Sequence, residues 1–218
     1  MAISSSKKNI LITAGPTWAK IDDVRVIGNV ATGETGILLA HKLLQKGFKI
    51  TLFLGPANKS YTNKRIKIIR FVYFDELLSK LKRELHKKKY QFVVHSAAIS
   101  DYKSAKERNG KIASDIKALK IILVPTPKII DIFKKVQPGI CLIGFKFLPK
   151  STKKKLLSES MSLIKRSRAD LVVANTLDKN RYKAYLVNKS FISKAILSKN
   201  NTVKNITRFI EHRISDAN

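Results

Sequence analysis

The chain has 218 residues, 44% of them hydrophobic, and 44 Lys plus Arg against 15 Asp plus Glu give it a formal charge of +29. That content supports a sizeable core, and a single domain over residues 1–218 is expected. No apolar run approaches the ~20 residues of a membrane span, and the stretch from Ile10 to Ala14 is shorter than a secretory h-region of about 7–15 residues. The one cysteine, Cys141, excludes an intrachain disulfide framework and a Cys-based zinc site and points to the cytoplasm.

In chain order, NILITA (residues 9–14) reads as a buried strand closed by Gly15-Pro16. Apolar residues at helical spacing predict a helix over 35–47 with Gly47 past its end and Thr32 or Thr35 as N-cap. Strands follow at 50–54 and 67–72, a basic amphipathic helix at 75–87, and a strand at 92–96. From Ile99 to Leu119 the pattern becomes polar and lysine-rich, predicting a flexible flap at about 102–118 with residues 120–124 as one arm of a hairpin. A helix is predicted over 127–135 with Pro127 near its first position, then strands at 141–147 and 170–174 flanking a basic helix at 150–166. Residues 184–187 and 191–197 suggest a terminal hairpin, and 203–214 a last helix. Alternating strands and helices predict an α/β fold, a Rossmann-like doubly wound, mainly parallel sheet with a flap or hairpin arm. Such sheets bind ligands beyond the carboxyl ends of their strands.

The positive charge admits two readings. Clustered Lys and Arg neutralise nucleic-acid phosphates, while dispersed charge merely solvates the surface and raises the local concentration of small polyanions. The basic runs Lys7–Lys8, Lys80–Lys89, Lys150–Lys155 and Lys165–Arg168 are scattered over predicted helix surfaces without interleaved aromatics, which favours the second. The first strand–helix junction lacks the G-x-G-x-x-G of dinucleotide folds. Its glycines Gly28, Gly33 and Gly36 come only at the helix entrance, where TGETGILL presents backbone N–H groups suited to an anion.

The segment ILITAGPTWAKIDDVRVIGNVATGETG resembles the opening of the phosphopantothenoylcysteine synthetase family. Three further blocks match in order: HSAAISDY, KIAS with VPTPKII, and LIGFKFL with RADLVVANTL. The last two are most similar to the stand-alone form of the synthetase, and the match spans about Asn9 to Leu177. The resemblance implies a cytoplasmic homodimer, with the flap reaching toward the partner's site. It implies that CTP (ATP in eukaryotic relatives), assisted by Mg2+, activates the carboxylate of 4′-phosphopantothenate, and that cysteine displaces the nucleotide from the acyl-nucleotidylate. No residue selects between CTP and ATP. Positioning and charge stabilisation carry such chemistry more than an acid–base pair does.

Residue by residue, the resemblance places Asn29 on the substrate and acyl intermediate, as an amide donor to the carboxyl group, with a left-handed turn residue as the alternative. Arg25 matches an arginine near the substrate, with an ion pair to Asp22 or Asp23 as its alternative. His95, Ser96 and Ala97 match the backbone that holds the nucleotide base, with strand-end packing the expected role of the His95 ring. Ala98 matches a pantothenate-side contact, Asp101 a nucleotide contact and Lys111 the catalytic flap lysine. Lys128 and Phe145 fall at the triphosphate and the base. Lys165 and Arg168 are candidate phosphate contacts displaced by an insertion, and no metal ligand is assigned. Pro16, Ala31 and Thr176 depart from the family's usual glycine, serine and aspartate, which puts Asn175–Thr176 in doubt as a polar contact. A catalytically degenerate relative that holds RNA or another polyanion is the alternative reading.

Overall fold

A computed structural model of the chain describes residues 8–58, 60–106 and 108–216; Lys7 of the first basic run and position 107 of the flap lie outside them. The first half contains β1 (Asn9–Ala14), β2 (Trp18–Lys20), β3 (Val26–Gly28), α1 (Glu34–Gln45), β4 (Lys49–Leu54), β5 (Lys67–Arg70), α2 (Phe74–Lys87) and β6 (Phe92–His95). The second contains β7 (Tyr102–Ser104), β8 (Leu123–Pro125), α3 (Ile130–Val136), β9 (Cys141–Phe147), α4 (Lys153–Ser167), β10 (Leu171–Asp178), β11 (Arg181–Val187) and α5 (Lys199–Ser215).

One seven-stranded sheet runs β11-β10-β9-β6-β1-β4-β5, parallel except for the antiparallel β10–β11 pair. The expected α/β, doubly wound sheet is therefore present. Its inner strands are apolar on both faces because helices cover both. Ile10 and Ile12 pack with Leu39, Leu43, Ile206 and Ile210 of α1 and α5. Leu11 points the other way, among Leu77, Leu81, Phe133 and Leu156 of α2, α3 and α4. Successive strands leave β1 in opposite directions, so the order reverses between β1 and β6. Crevices at such reversals, outside the strands' carboxyl ends, are where ligands fit.

Several boundaries differ from expectation. The N-cap of α1 is Gly33 at φ 76, not Thr32 or Thr35; the Thr32 hydroxyl accepts from Glu34 N at 3.3 Å. Helix α3 begins at Ile130, past Pro127, because Thr126 is tied back by its N to Asp101 O (2.9 Å) and its hydroxyl to Ser100 O (2.7 Å). The terminal hairpin is β10–β11, closed at Lys179 and Asn180 with φ 45 and 63. Positive φ at both central residues is the turn geometry that matches strand twist. Residues 191–197 add only two isolated bridges, Ala184↔Ile196 and Val187↔Ile192.

Two short antiparallel pairs, β2–β3 and β7–β8, stand outside the sheet at the carboxyl edge and form an arm, of which β7–β8 holds the expected hairpin strand at 120–124. The first was not legible: three-residue strands carry no periodicity. The arm is tied down at its base, where Trp18 N donates to Val72 O at 2.8 Å and Lys103 pairs with Asp75 at 2.8 Å.

Candidate active site at the carboxyl edge of the sheet

The strand reversal sets the site's floor. Ala98 N donates to Gly15 O (2.9 Å) and Thr17 N to Ala98 O (3.2 Å), so the loops leaving β1 and β6 run side by side. Helix α1 closes directly onto them. A Cβ on Gly36 would lie 2.4 Å from Ala14 Cβ and 2.9 Å from Ser96 Oγ, so no larger residue lets the first turn of α1 come this close. Gly33 adds the left-handed φ at the helix entrance and leaves it without a side-chain cap. The resulting helix start, facing the crevice, suits an anion.

Asn29 crosses the crevice. Its Nδ2 donates to Ala98 O at 3.1 Å and Ile99 O at 3.0 Å, which brings the first and second sequence blocks together. Asn29 is not among the positive-φ residues, so the left-handed turn alternative does not hold. Both amide hydrogens are engaged by main-chain carbonyls, which leaves the acceptor Oδ1 as the side-chain atom not used in these two bonds.

Arg25 and Lys111 meet through Asp22. The Asp22 side chain is inaccessible to solvent, and Arg25 Nη1 donates to its Oδ2 at 2.5 Å and to Ile112 O at 3.2 Å. The ion-pair alternative for Arg25 is thus the arrangement observed. Burial pushes the Asp22 carboxyl up, but N–H bonds from Ile112, Val24 and Arg25 together with the guanidinium outweigh it and hold the group well below the usual carboxylate range. Lys111, exposed, sits between Gly110 and Ile112, both bonded to the Asp22–Asp23 loop.

The 95–101 stretch is fixed by threonines. Thr13 Oγ1 bonds His95 Nδ1 at 2.8 Å and accepts from Ala97 N at 3.3 Å, and Ser96 N and Oγ donate to Thr13 O at 3.1 and 2.7 Å. Thr17 accepts from Ser100 N at 2.8 Å. The N–H groups of Ser96, Ala97 and Ala98 are therefore occupied, which leaves carbonyl oxygens as the main-chain groups available to a base. His95 is buried against Phe133, and burial lowers its pKa to about 4. The neutral ring packs and hydrogen-bonds, as expected, and is not placed as a base. Thr13 and Thr17 were missed as organisers; their spacing across Gly15 in T-A-G-P-T is the signal that could have found them.

Asp101 and Lys128 form an exposed ion pair at 2.5 Å, so two positions from separate blocks meet. Phe145 is half-buried on the α1–α5 face, the face on which Asn175 lies two residues beyond Val173, the partner of Phe145 on β10. Asn175 Oδ1 is buried without a partner, which marks it as a polar group still to be satisfied despite Thr176 beside it. At the far end of α4, Arg166 rather than Lys165 or Arg168 reaches α3, with Nε 3.5 Å from Asp131 Oδ1. Beyond β9–β11 lies a cleft of about 820 Å³ lined by Glu34, Thr176, Lys153, Lys183 and Lys199 among others.

A doubly wound sheet with a glycine-shaped helix entrance at its strand reversal and a cation-bearing arm over it defines a class: Rossmann-like α/β proteins with a crevice at the carboxyl edge. Within it, the chain belongs to the DFP family, the DNA/pantothenate metabolism flavoprotein C-terminal domain, which matches residues 5–214. It is 37% identical over 171 residues to the coenzyme A biosynthesis bifunctional protein CoaBC of Thermococcus kodakarensis, covering 78% of this chain and 41% of that protein. The chain therefore spans less than half the length of that relative. The crystal structure of the DNA/pantothenate metabolism flavoprotein from Streptococcus pneumoniae superposes with a TM-score of 0.85 at 26% identity, covering 94% of this chain and 99% of that one. The C-terminal domain of a CoaBC shares the fold with a TM-score of 0.75 at 22% identity, covering 96% of both.

Proposed function

We propose that the chain is a phosphopantothenate–cysteine ligase of coenzyme A biosynthesis, acting in the cytoplasm. The observation that carries this reading is the meeting of Asn29 with Ala98 and Ile99 at the strand reversal, beside an anion-suited helix entrance, in a chain of this family. The CoaBC relatives named for coenzyme A biosynthesis point to the same chemistry.

In the first half-reaction an oxygen of the 4′-phosphopantothenate carboxylate attacks the α-phosphorus of the nucleoside triphosphate, and pyrophosphate leaves. In the second, the cysteine amine attacks the acyl carbon, loses a proton, and the nucleoside monophosphate departs. The residues bind and orient. Asn29 Oδ1 accepts from a donor of the acyl substrate or from the incoming amine, and Ala98 lines the pantothenate side. Arg25, whose guanidinium has donors beyond those held by Asp22 and Ile112, faces the acid substrate. The carbonyls of His95, Ser96 and Ala97 meet the exocyclic amine of the base, with Phe145 and Asn175 beside it. Asp101, Lys128 and Lys111 line the nucleotide's polar end, where the Lys111 ammonium offsets developing negative charge.

No group of three or more His, Cys, Asp or Glu side chains among the described residues is arranged to hold a metal ion. Mg2+ is assigned to the nucleotide's own phosphates, which it would neutralise, and no step is drawn through it. CTP is the proposed nucleotide, with ATP as the competitor. We assign the homodimer to the arm, where Val24, Ile122 and neighbouring apolar side chains are open to a second copy. No helix among the described residues is long and apolar enough to cross a membrane.

The test is pyrophosphate release from phosphopantothenate, cysteine, Mg2+ and either CTP or ATP. Release with CTP in excess of ATP is expected; no release with either overturns the reading.

A further inference from the structure

The two oxygens of Asp22 serve two segments. Oδ1 accepts from Val24 N (2.8 Å) and Arg25 N (2.6 Å), which shapes its own loop. Oδ2 accepts from Arg25 Nη1 (2.5 Å) and from Ile112 N (3.0 Å), ninety positions along the chain. Asp23 repeats the pattern at the surface: its Oδ2 accepts from Gly110 N at 2.6 Å while its own N donates to Gly110 O at 3.2 Å. Arg108 N adds a bond to Ile21 O at 3.2 Å, and Ile112 is the one position of the 108–112 segment whose side chain is buried. The segment carrying Lys111 is therefore held almost wholly by hydrogen bonds to the loop carrying Arg25. A buried carboxylate with four donors is a strong, directional tie.

We propose that Asp22 is a positioning residue that latches the flap, setting Lys111 and Arg25 in fixed relation through one carboxylate. It touches no reacting atom and acts through Lys111. The latch is a property of the fold; its consequence for turnover rests on the ligase reading above. An Asp22→Asn change with its amide oxygen in the Oδ1 place keeps the loop bonds. Its NH2 then faces the Ile112 N–H and the guanidinium, donor against donor, so the flap side is lost while the loop side survives.

The chain's own basic residues supply the assay. Trypsin cleaves after Arg108 and Lys111 only when the segment opens, and the many other Lys and Arg serve as internal controls. In Asp22→Asn, nicking at 108–111 is expected to rise about tenfold or more at unchanged rates elsewhere, because proteolysis follows the population of the open form. Asp23→Ala, at an exposed position that folding tolerates, is expected to show the same selectivity at smaller size. Unchanged nicking in both variants, or an increase spread evenly over the chain, overturns the latch. For turnover, Asp22→Asn is expected to lower kcat through Lys111, with no further fall in kcat in a Lys111→Gln background, and to raise KM for phosphopantothenate through the loosened Arg25 guanidinium. An additive loss in the double variant overturns action through Lys111. If the unaltered protein releases no pyrophosphate, the ligase reading falls, and the nicking pattern alone still decides the latch.

Discussion

In the central sheet Ile10, Leu11 and Ile12 are fully buried, whereas in the arm Ile122 is 74% and Val24 65% exposed. The sheet is held by apolar contact on both faces. The arm is held by main-chain and carboxylate hydrogen bonds at Asp22, Asp23, Ser100 and Thr126, with apolar side chains such as Val24, Ile116 and Ile122 outward. Contact with water removed is worth about 25 cal/mol per Å² wherever it occurs, so the sheet's stability is spread over dozens of side chains. A hydrogen-bonded arm concentrates its order in a few groups and can open without unfolding the rest. The two regions are thus separable: one sets stability, the other presents Asn29, Arg25 and Lys111.

The largest effect should come from the sheet. Leu39→Ala, beneath Ile10 and Ile12, is expected to cost ~2–5 kcal/mol of stability in urea titrations, and a change under about 1 kcal/mol would break the division. His95 sharpens it through pH. Its pKa falls from an ordinary 6.5 to about 4 on burial. Above pH 6.5 both folded and unfolded states are neutral and nothing is lost. Between pH 6.5 and 4 the unfolded chain takes up a proton that the folded one refuses, so stability drops by up to ~3 kcal/mol. Urea midpoints at pH 7.5 and 5 should show this fall in the unaltered protein and much less of it in His95→Gln.

Arm substitutions should invert the pattern. Asn29→Asp places negative charge beside the carbonyls of Ala98 and Ile99 and against the substrate carboxylate. Turnover is expected to drop on the order of 100-fold, read as pyrophosphate release, with the urea midpoint little changed. An unimpaired rate would return Asn29 to a purely structural tie. The smallest effect on stability is expected at Ile122→Lys, within about 0.5 kcal/mol of the unaltered chain. Light scattering should nonetheless show a shift toward monomer, and an unchanged assembly would move the proposed dimer contact away from the arm.

Legibility followed the same division. β1, β4, β6 and β9 were readable to within about a residue because strands buried on both faces are uniformly apolar. Helices α1, α2 and α5 were readable from their spacing. The hairpin β2–β3 was not, since its strands alternate no apolar face against a core. Pro127 as a helix start failed because a side-chain bond from Thr126 held the chain extended for longer than local preference indicates. Of the candidate site, the blocks around Asn29, Ala98, Asp101 and Lys128 were legible through their resemblance to a family, and the structure brings them together. The engagement of the Asn29 amide by Ala98 O and Ile99 O was not, because which neighbours take an amide hydrogen depends on the tertiary structure.

By itself the sequence determined the doubly wound sheet, the order of its strands along the chain, and the residues gathered at its carboxyl edge. The sheet and its strand order follow from apolar periodicity, and the residues at its edge from the resemblance to a family. Only the tertiary structure decided what those residues can do there: that Asp22 ties Arg25 to Ile112, that burial against Phe133 leaves His95 a neutral packing group, and that Asn175 keeps an unsatisfied oxygen. Each depends on a partner far away in sequence, and no local preference encodes which polar atom is already engaged.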